Sequence, residues 1–151
     1  MKENMKENMN YDSIELLSEC SSGLNMAIDS MEYIKNNVED KQLIQIINKY
    51  LTSHEKILDD CCTLLHDAGA KEKEVSVFSK ALSAIQAKIK MMMDDDKSTA
   101  AALLTDGCGM GVKTISEELN KYKMAGDEAK DIAKRLRKIE EDMIGDLQPM
   151  L

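Results

Sequence analysis

Aromatic residues and proline are nearly absent from the sequence. It has no tryptophan, a single phenylalanine (Phe78) and a single proline (Pro149), and aromatic residues make up 3% of its 151 positions. A β-sandwich core would need more aromatic and β-branched residues and more turn residues. The chain is instead rich in Leu, Ile, Met, Ala, Lys and Glu, which favour helices. We therefore predict an all-α fold.

Basic charge and long apolar runs are also scarce. The net charge is −8, whereas binding to nucleic acid requires a basic surface. No apolar run approaches the roughly 20 residues that span a bilayer, and residues 1–10 lack the apolar stretch of a secretory signal. We expect no nucleic-acid partner, no membrane partner and a cytoplasmic location.

Residues 1–10, MKENMKENMN, repeat a polar tetrapeptide, and we predict that they form a disordered tail. Residues 11–151 have a length that suits a single domain with one core. Within that domain, apolar residues at spacings of three and four predict five helices. Their approximate ranges are Tyr11–Val38, Gln42–His66, Val75–Met93, Ser98–Tyr122 and Asp127–Leu147.

The lengths of the links and of the third helix predict how the helices are arranged. The link between the first two helices is so short that they must form an antiparallel hairpin. The third helix, at ~1.5 Å per residue, is roughly 28 Å long and can carry the chain from one end of a bundle to the other. We expect Gly69 to end the second helix, Ser98 or Thr99 to cap the fourth, and Asp127 to cap the fifth.

The two halves of the chain resemble each other. The segments ECSSGLNMAI, around Cys20, and GCGMGVKTIS, around Cys108, share C-x-x-G at a shift of 88 residues. The segments IINKYLTSHEKIL and IAKRLRKIEEDMI align at a shift of 86, which places His54 opposite Glu140. We interpret the two helical hairpins as copies of each other, the alternative being chance similarity of amphipathic helices.

Residues 107–114, GCGMGVKT, resemble a phosphate-binding loop. Such a loop follows a strand and has a glycine directly before its lysine, whereas here the preceding residues are helical in composition and a valine separates the two. We predict instead that Gly23 and Gly111 lie where helices approach closely. Three glycines within five residues also predict a kink or a π-bulge near Gly109.

The layout resembles the ferritin-like superfamily, in particular a bacterial branch of small ferritin-like domains of unknown function. The matching features are the hairpin ending in LLHDAGA, the amphipathic segment VFSKALSAIQAKIKMMMDDD and the second hairpin beginning TAAALLTDGCGMG. The resemblance implies a ferritin-like four-helix bundle made of two helical hairpins with an additional crossover helix.

Ferritin-like iron proteins carry Glu-x-x-His on the second and fourth bundle helices and one Glu on each of the other two. Here Leu51 stands three residues before His54, and Met143 stands three residues after Glu140. The acidic candidate ligands on the other two helices lie off the centres of their apolar stripes, with Glu118 at an edge; these candidates are Asp29, Glu32, Glu117 and Glu118. The di-iron ligand set is therefore largely absent, and the resemblance implies a non-catalytic protein.

His54 and Glu140 lie on the inward stripes of their helices. We expect them to meet near the middle of the bundle as a structural polar contact, because a buried carboxylate must be paired or change its pKa. The alternative is a single transition-metal ion, iron or zinc, held by His54, Glu140 and one or more cysteines. We expect no cofactor and assign no catalytic residue; an oxidoreductase would require a carboxylate cluster that this alignment does not show.

The four cysteines contain no C-x-x-C pair, which excludes a zinc ribbon. We interpret them as small core residues with free thiols. Cys20 and Cys61 are expected at the same level of the bundle, which makes a redox-active or metal-binding thiol pair the alternative.

Methionine is abundant, at 12 residues. At least one of the consecutive residues Met91, Met92 and Met93 should be exposed, and such side chains form adaptable contact surfaces; copper binding by thioethers is the alternative. We therefore predict a protein that forms a homodimer or binds a protein partner.

Overall fold

The computed structural model describes residues 9–71 and 76–151. In these ranges the chain forms α1 (Tyr11–Lys35), α2 (Lys41–Asp67), α3 (Val77–Met92), α4 (Lys97–Lys121) and α5 (Asp127–Leu147), followed by a 3-10 turn (Gln148–Met150). Neither range contains a strand, so the predicted all-α class is confirmed for the described residues. Residues 1–8 of the predicted tail, and the predicted start of the third helix at Val75, lie outside them.

Four of the helices begin at a side-chain oxygen that accepts a hydrogen bond from a backbone N–H of the first turn. The capping residues are Asn10, Asp40, Ser76 and Asp96. The expectation of Ser98 or Thr99 for α4 is thus wrong, because Asp96 accepts from the Thr99 N–H at 3.1 Å. Asp127 does not cap α5 either: that position is Gly126, whose N–H donates to Ser13 Oγ at 2.7 Å. Gly69 follows α2 with φ 69°, as expected.

The two described residues of the predicted tail are packed against the bundle. Met9 contacts the apolar core. Asn10 caps α1, and its Nδ2 donates to the carbonyl of Met124, in the loop before α5, at 2.7 Å. These contacts join the start of α1 to the loop between α4 and α5.

The helices form two hairpins, α1 with α2 and α4 with α5, which pack against each other. The helices α2 and α5 run antiparallel, since Lys49 pairs with Asp146 at 3.1 Å and Asp60 pairs with Arg135 at 2.8 Å. Between the hairpins in sequence, α3 lies against one helix from each, α1 and α4. The molecule is therefore a helical bundle with α3 covering one side.

Glycines allow two pairs of helices to approach closely. A Cβ on Gly23 of α1 would lie 2.7 Å from carbons of the Phe78 ring on α3. A Cβ on Gly111 of α4 would lie 3.4 Å from Cδ of Glu140 on α5. The predicted close approach at both glycines is confirmed. The predicted π-bulge near Gly109 is wrong, because α4 is assigned as α-helix throughout Lys97–Lys121, which packing on neighbouring helices stabilises despite the glycines. The predicted kink stays a prediction.

A polar layer divides the apolar core into two clusters. The core on one side of His54 includes Ile57 and Leu136, and the core on the other side includes Leu51 and Met143. His54 and Glu140 lie between these apolar positions on their own helices. The candidate site is therefore at the middle of the bundle, as expected.

Candidate functional site

The buried pair at the middle of the bundle is His54 of α2 and Glu140 of α5. The two side chains are 1% and 6% exposed, and Nε2 of His54 lies 2.7 Å from Oε1 of Glu140. The predicted contact is therefore present as a direct hydrogen bond. It supports the alignment of the two hairpins that placed these residues opposite each other.

The second ring nitrogen of His54, Nδ1, carries a hydrogen. Nδ1 of His54 lies 2.6 Å from the backbone carbonyl oxygen of Tyr50. A carbonyl can only accept, so Nδ1 carries a hydrogen. One further proton lies between Nε2 and Glu140, which gives either an imidazolium–carboxylate pair or a neutral imidazole–carboxylic acid pair. In both forms the hydrogen bond is made, which a buried polar group requires.

The side chain of Tyr50 holds the same part of α2 against α5. Its hydroxyl donates to Oδ2 of Asp146 at 2.6 Å. The surface ion pair of Lys49 with Asp146 lies beside it. The backbone carbonyl that orients His54 thus belongs to a residue whose side chain is anchored to the opposite helix.

Cys108 of α4 completes the polar layer. Burial raises the pKa of the Cys108 thiol well above its usual value, and the nearby charge and hydrogen bond of Glu140 raise it further. The thiol is therefore protonated near neutral pH and lies close to the Glu140 carboxyl group. Gly111, one helical turn further along α4, leaves the space that the Glu140 side chain occupies.

A cavity of about 40 Å³ lies between this polar layer and α3. Its floor is formed by His54, Glu140 and Cys108, and its roof by apolar side chains of α3. The walls come from α1, α4 and α5; the apolar wall and roof residues are Ala27, Met31, Phe78, Leu82, Ile85, Ile89, Leu103, Leu104 and Met143. The polar groups thus face a small, mostly apolar space.

Two more carboxylates are buried, and the sequence patterns did not place either in the core. Glu19 of α1 is 2% exposed, and Glu118 of α4 is 4% exposed. The expectation that Glu118 sits at an edge is therefore wrong, and Glu19 was missed. Asp29 and Glu117 are exposed, as expected. The described interior thus contains two buried carboxyl groups, Glu19 and Glu118, in addition to the His54–Glu140 pair.

Glu19 is buried because α3 begins beside it. Its two carboxyl oxygens accept from the backbone N–H groups of Val77 and Phe78, at 3.3 Å and 3.1 Å. A negative charge at a helix N-terminus satisfies free N–H groups and interacts favourably with the helix dipole. The segment LLSECSSG, in which Glu19 is the sole charged residue, is the one signal in the sequence that could have indicated its burial.

The two thiols that were predicted to lie at one level are both buried. Burial raises the pKa of Cys20 well above its usual value, with further contributions from Cys61, Glu19 and Glu118. Sγ of Cys61 donates to the backbone carbonyl of Leu17 at 3.2 Å. Protonated thiols are poor nucleophiles and poor metal ligands, so this environment favours a structural role for both. A thiol site at Cys20 and Cys61 stays a prediction.

The outward side of α3 carries exposed apolar and small side chains. Met91 is 85% exposed, Val77 48% and Met92 55%, which confirms that the methionine run reaches the surface. We define the α3 outer face as the exposed residues Val77, Ala84, Ala87 and Met91, flanked by Lys80 and Lys88. The helix contains no acidic residue, although the chain carries a net charge of −8.

Within the described residues, the protein is an all-α bundle whose core is divided by a buried His–Glu pair. Its fold is similar to the crystal structure of a DUF305 fragment from Deinococcus radiodurans, with a TM-score of 0.75 and 11% sequence identity, over 93% of this chain and 95% of that one. At this identity the similarity shows the fold alone. No family model and no curated protein matches the chain. No described helix is long and apolar enough to cross a membrane.

Proposed function

We propose that this protein is a non-catalytic, ferritin-like helical bundle of the cytoplasm that acts by self-association through the α3 outer face. The ferritin-like assignment is supported by two antiparallel hairpins joined through a helix that packs along the bundle. The exposure of Met91 on this face is the observation that carries the proposed association.

The spacing of the α3 outer face suits a symmetric dimer. Val77 and Met91 lie seven residues before and seven residues after Ala84. If two copies pack antiparallel about Ala84, Val77 of each copy meets Met91 of the other, while the alanines allow close approach. A twofold interface requires such a self-complementary patch. One helix face per subunit buries little area, so we expect a weak dimer.

The lysines beside the face predict how salt affects the dimer. In the antiparallel arrangement, Lys80 of one copy lies opposite Lys88 of the second copy, because each is four residues from Ala84. Like charges repel, and the net charge of −8 on each chain adds to the repulsion. Salt screens such interactions over roughly 8–10 Å at physiological ionic strength. We therefore expect dimerisation to strengthen as salt is added.

Light scattering of the purified protein over a range of concentrations tests this proposal. We expect the mass to rise from monomer to dimer with concentration, and at lower concentration in high salt. Met91→Lys should keep the protein monomeric, because it places a further positive charge in each of the two Val77–Met91 contacts. The control is Met124→Lys, which changes a methionine that is 75% exposed outside α3 and should leave dimerisation unchanged. A wild-type protein that stays monomeric, or equal effects of the two variants, would contradict the proposal.

The second candidate is a metal-binding protein that uses His54, Glu140 and one or more cysteines; Cys108 lines the same cavity as the His54–Glu140 pair. One observation favours it: a metal-bound histidine usually donates its other N–H to a carbonyl or carboxylate, as Nδ1 of His54 does. Against it, the described residues contain no group of three His, Cys, Asp or Glu side chains placed to hold an ion. Metal analysis of protein purified without an affinity tag decides between the two. We expect far less than one ion per chain, whereas about one tightly held ion would support the second candidate.

A further inference from the structure

The geometry points to a ligand site in the cavity beneath α3, which takes a compact, mostly apolar molecule with one hydrogen-bond donor, of the class of short-chain alcohols. The site is separate from the α3 outer face. Its existence does not depend on dimerisation, so the two proposals fail or succeed independently.

The size of the cavity limits the ligand. A volume of about 40 Å³ corresponds to roughly three water-sized spheres, since one occupies about 10–15 Å³ on this measure. A molecule with three or four non-hydrogen atoms fits this space, and a ring or a long chain does not. Such small cavities with mostly apolar walls favour ligands that bring their own apolar surface.

The floor of the cavity selects the polar group of the ligand. Oε1 of Glu140 is hydrogen-bonded to His54, and the two oxygens of a carboxyl group have further lone-pair positions in either protonation state. Glu140 can therefore accept another hydrogen bond from a hydroxyl group. A ligand carboxylate would instead place a negative charge in a mostly apolar space beside another carboxyl group, which is unfavourable. The site should thus bind an alcohol and reject the acid of the same length.

The edge between α3 and α4 offers a position that controls the volume of the cavity. Gly107 of α4 lines the space, and a Cβ there would lie 3.7 Å from Cγ2 of Ile85 on α3, an ordinary contact. A longer side chain at this position would extend into the cavity. Gly109 lies on the same helix, and a Cβ at this position would have no neighbouring atom within 4 Å, so Gly109 provides a matched control.

Methionines of this protein can report on the site. Met31 and Met143 line the cavity, whereas Met91 and Met124 are exposed on the surface. With ¹³C-methyl-labelled methionine, we expect 1-propanol to shift the methyl resonances of Met31 and Met143 in a saturable manner. The resonances of Met91 and Met124 should show only the small linear drift of a change in solvent. Propionate at the same concentrations should leave all four unchanged.

Two variants complete the experiment. Gly107→Leu should weaken the response to 1-propanol by about tenfold or more, the change expected when a ligand loses its space, while Gly109→Leu should bind as the wild type does. The native spectrum of each variant shows whether it is folded. A linear response at Met31 and Met143, an equal response to propionate, or full binding by a folded Gly107→Leu variant would overturn the proposal. If Gly107→Leu does not fold, the comparison of 1-propanol with propionate in the wild type decides it.

Discussion

Replacement of His54 by alanine is expected to destabilise the fold by about 3–5 kcal/mol, because removal of one partner from a buried pair leaves the other without compensation. Glu140 would lose the hydrogen bond at Oε1, and little solvent reaches the carboxyl group to replace His54, since its side chain is 6% exposed. Urea unfolding followed by circular dichroism at 222 nm measures the change. The control is Lys49→Ala, which breaks an ion pair with 64% and 42% exposed side chains and should cost no more than about 1 kcal/mol.

The double variant His54→Leu, Glu140→Leu removes both partners. It separates the loss of stability caused by leaving one buried polar group without a partner from the contribution of the intact pair to the free energy of unfolding. Two apolar side chains of similar size often replace a buried pair at little or no cost. We expect the double variant to be more stable than His54→Ala by about 2 kcal/mol or more. If His54→Ala costs no more than Lys49→Ala, the interior contact contributes little and the polar layer has no structural role.

The sequence predicts the polar layer better than it predicts the surroundings of that layer. The position of His54 opposite Glu140 followed from the internal repeat, since equivalent positions of two similar hairpins meet across the bundle. Periodicity also located the helices, because each buries one stripe of a regular pattern. The third partner, Cys108, could be assigned only to the core. Its position beside Glu140 depends on the rotation of α4 about its axis, which spacing in the sequence does not determine.

The burial of Glu19 could not be predicted from helical periodicity. A helix in a four-helix bundle buries one stripe, and on that assumption Glu19 faces solvent. The helix α1 packs against α3 as well as against the bundle, and every residue from Leu16 to Ser21 is buried. A second packing partner is a tertiary property, so no period in the α1 sequence reveals it. The cavity depends on the same contact, because its roof belongs to α3.

Replacement of Gly23 by alanine is expected to displace α3 and to destabilise the protein. The new Cβ would lie 2.7 Å from carbons of the Phe78 ring, and that ring is 2% exposed with little room to move. Forcing an extra carbon into a packed core costs about 1–3 kcal/mol, against a gain of up to about 1 kcal/mol in helix propensity. We expect a net loss of stability of about 1–2 kcal/mol, measured by urea unfolding, with faster hydrogen exchange of the α3 amides.

The same substitution at Gly109 should have the opposite sign. A Cβ at position 109 would have no neighbouring atom within 4 Å. Gly109→Ala should therefore gain about 0.5–1 kcal/mol of stability from the higher helix propensity of alanine, without a clash. Phe78→Ala then tests the cause of the Gly23 effect: with the ring removed, Gly23→Ala should become neutral or stabilising, since the atoms that it meets are gone. A Gly23→Ala protein as stable as Gly109→Ala, or a loss that persists in the Phe78→Ala background, would mean that Gly23 does not set the distance between α1 and α3. The glycine would then play no part in holding the roof over the His54–Glu140 layer.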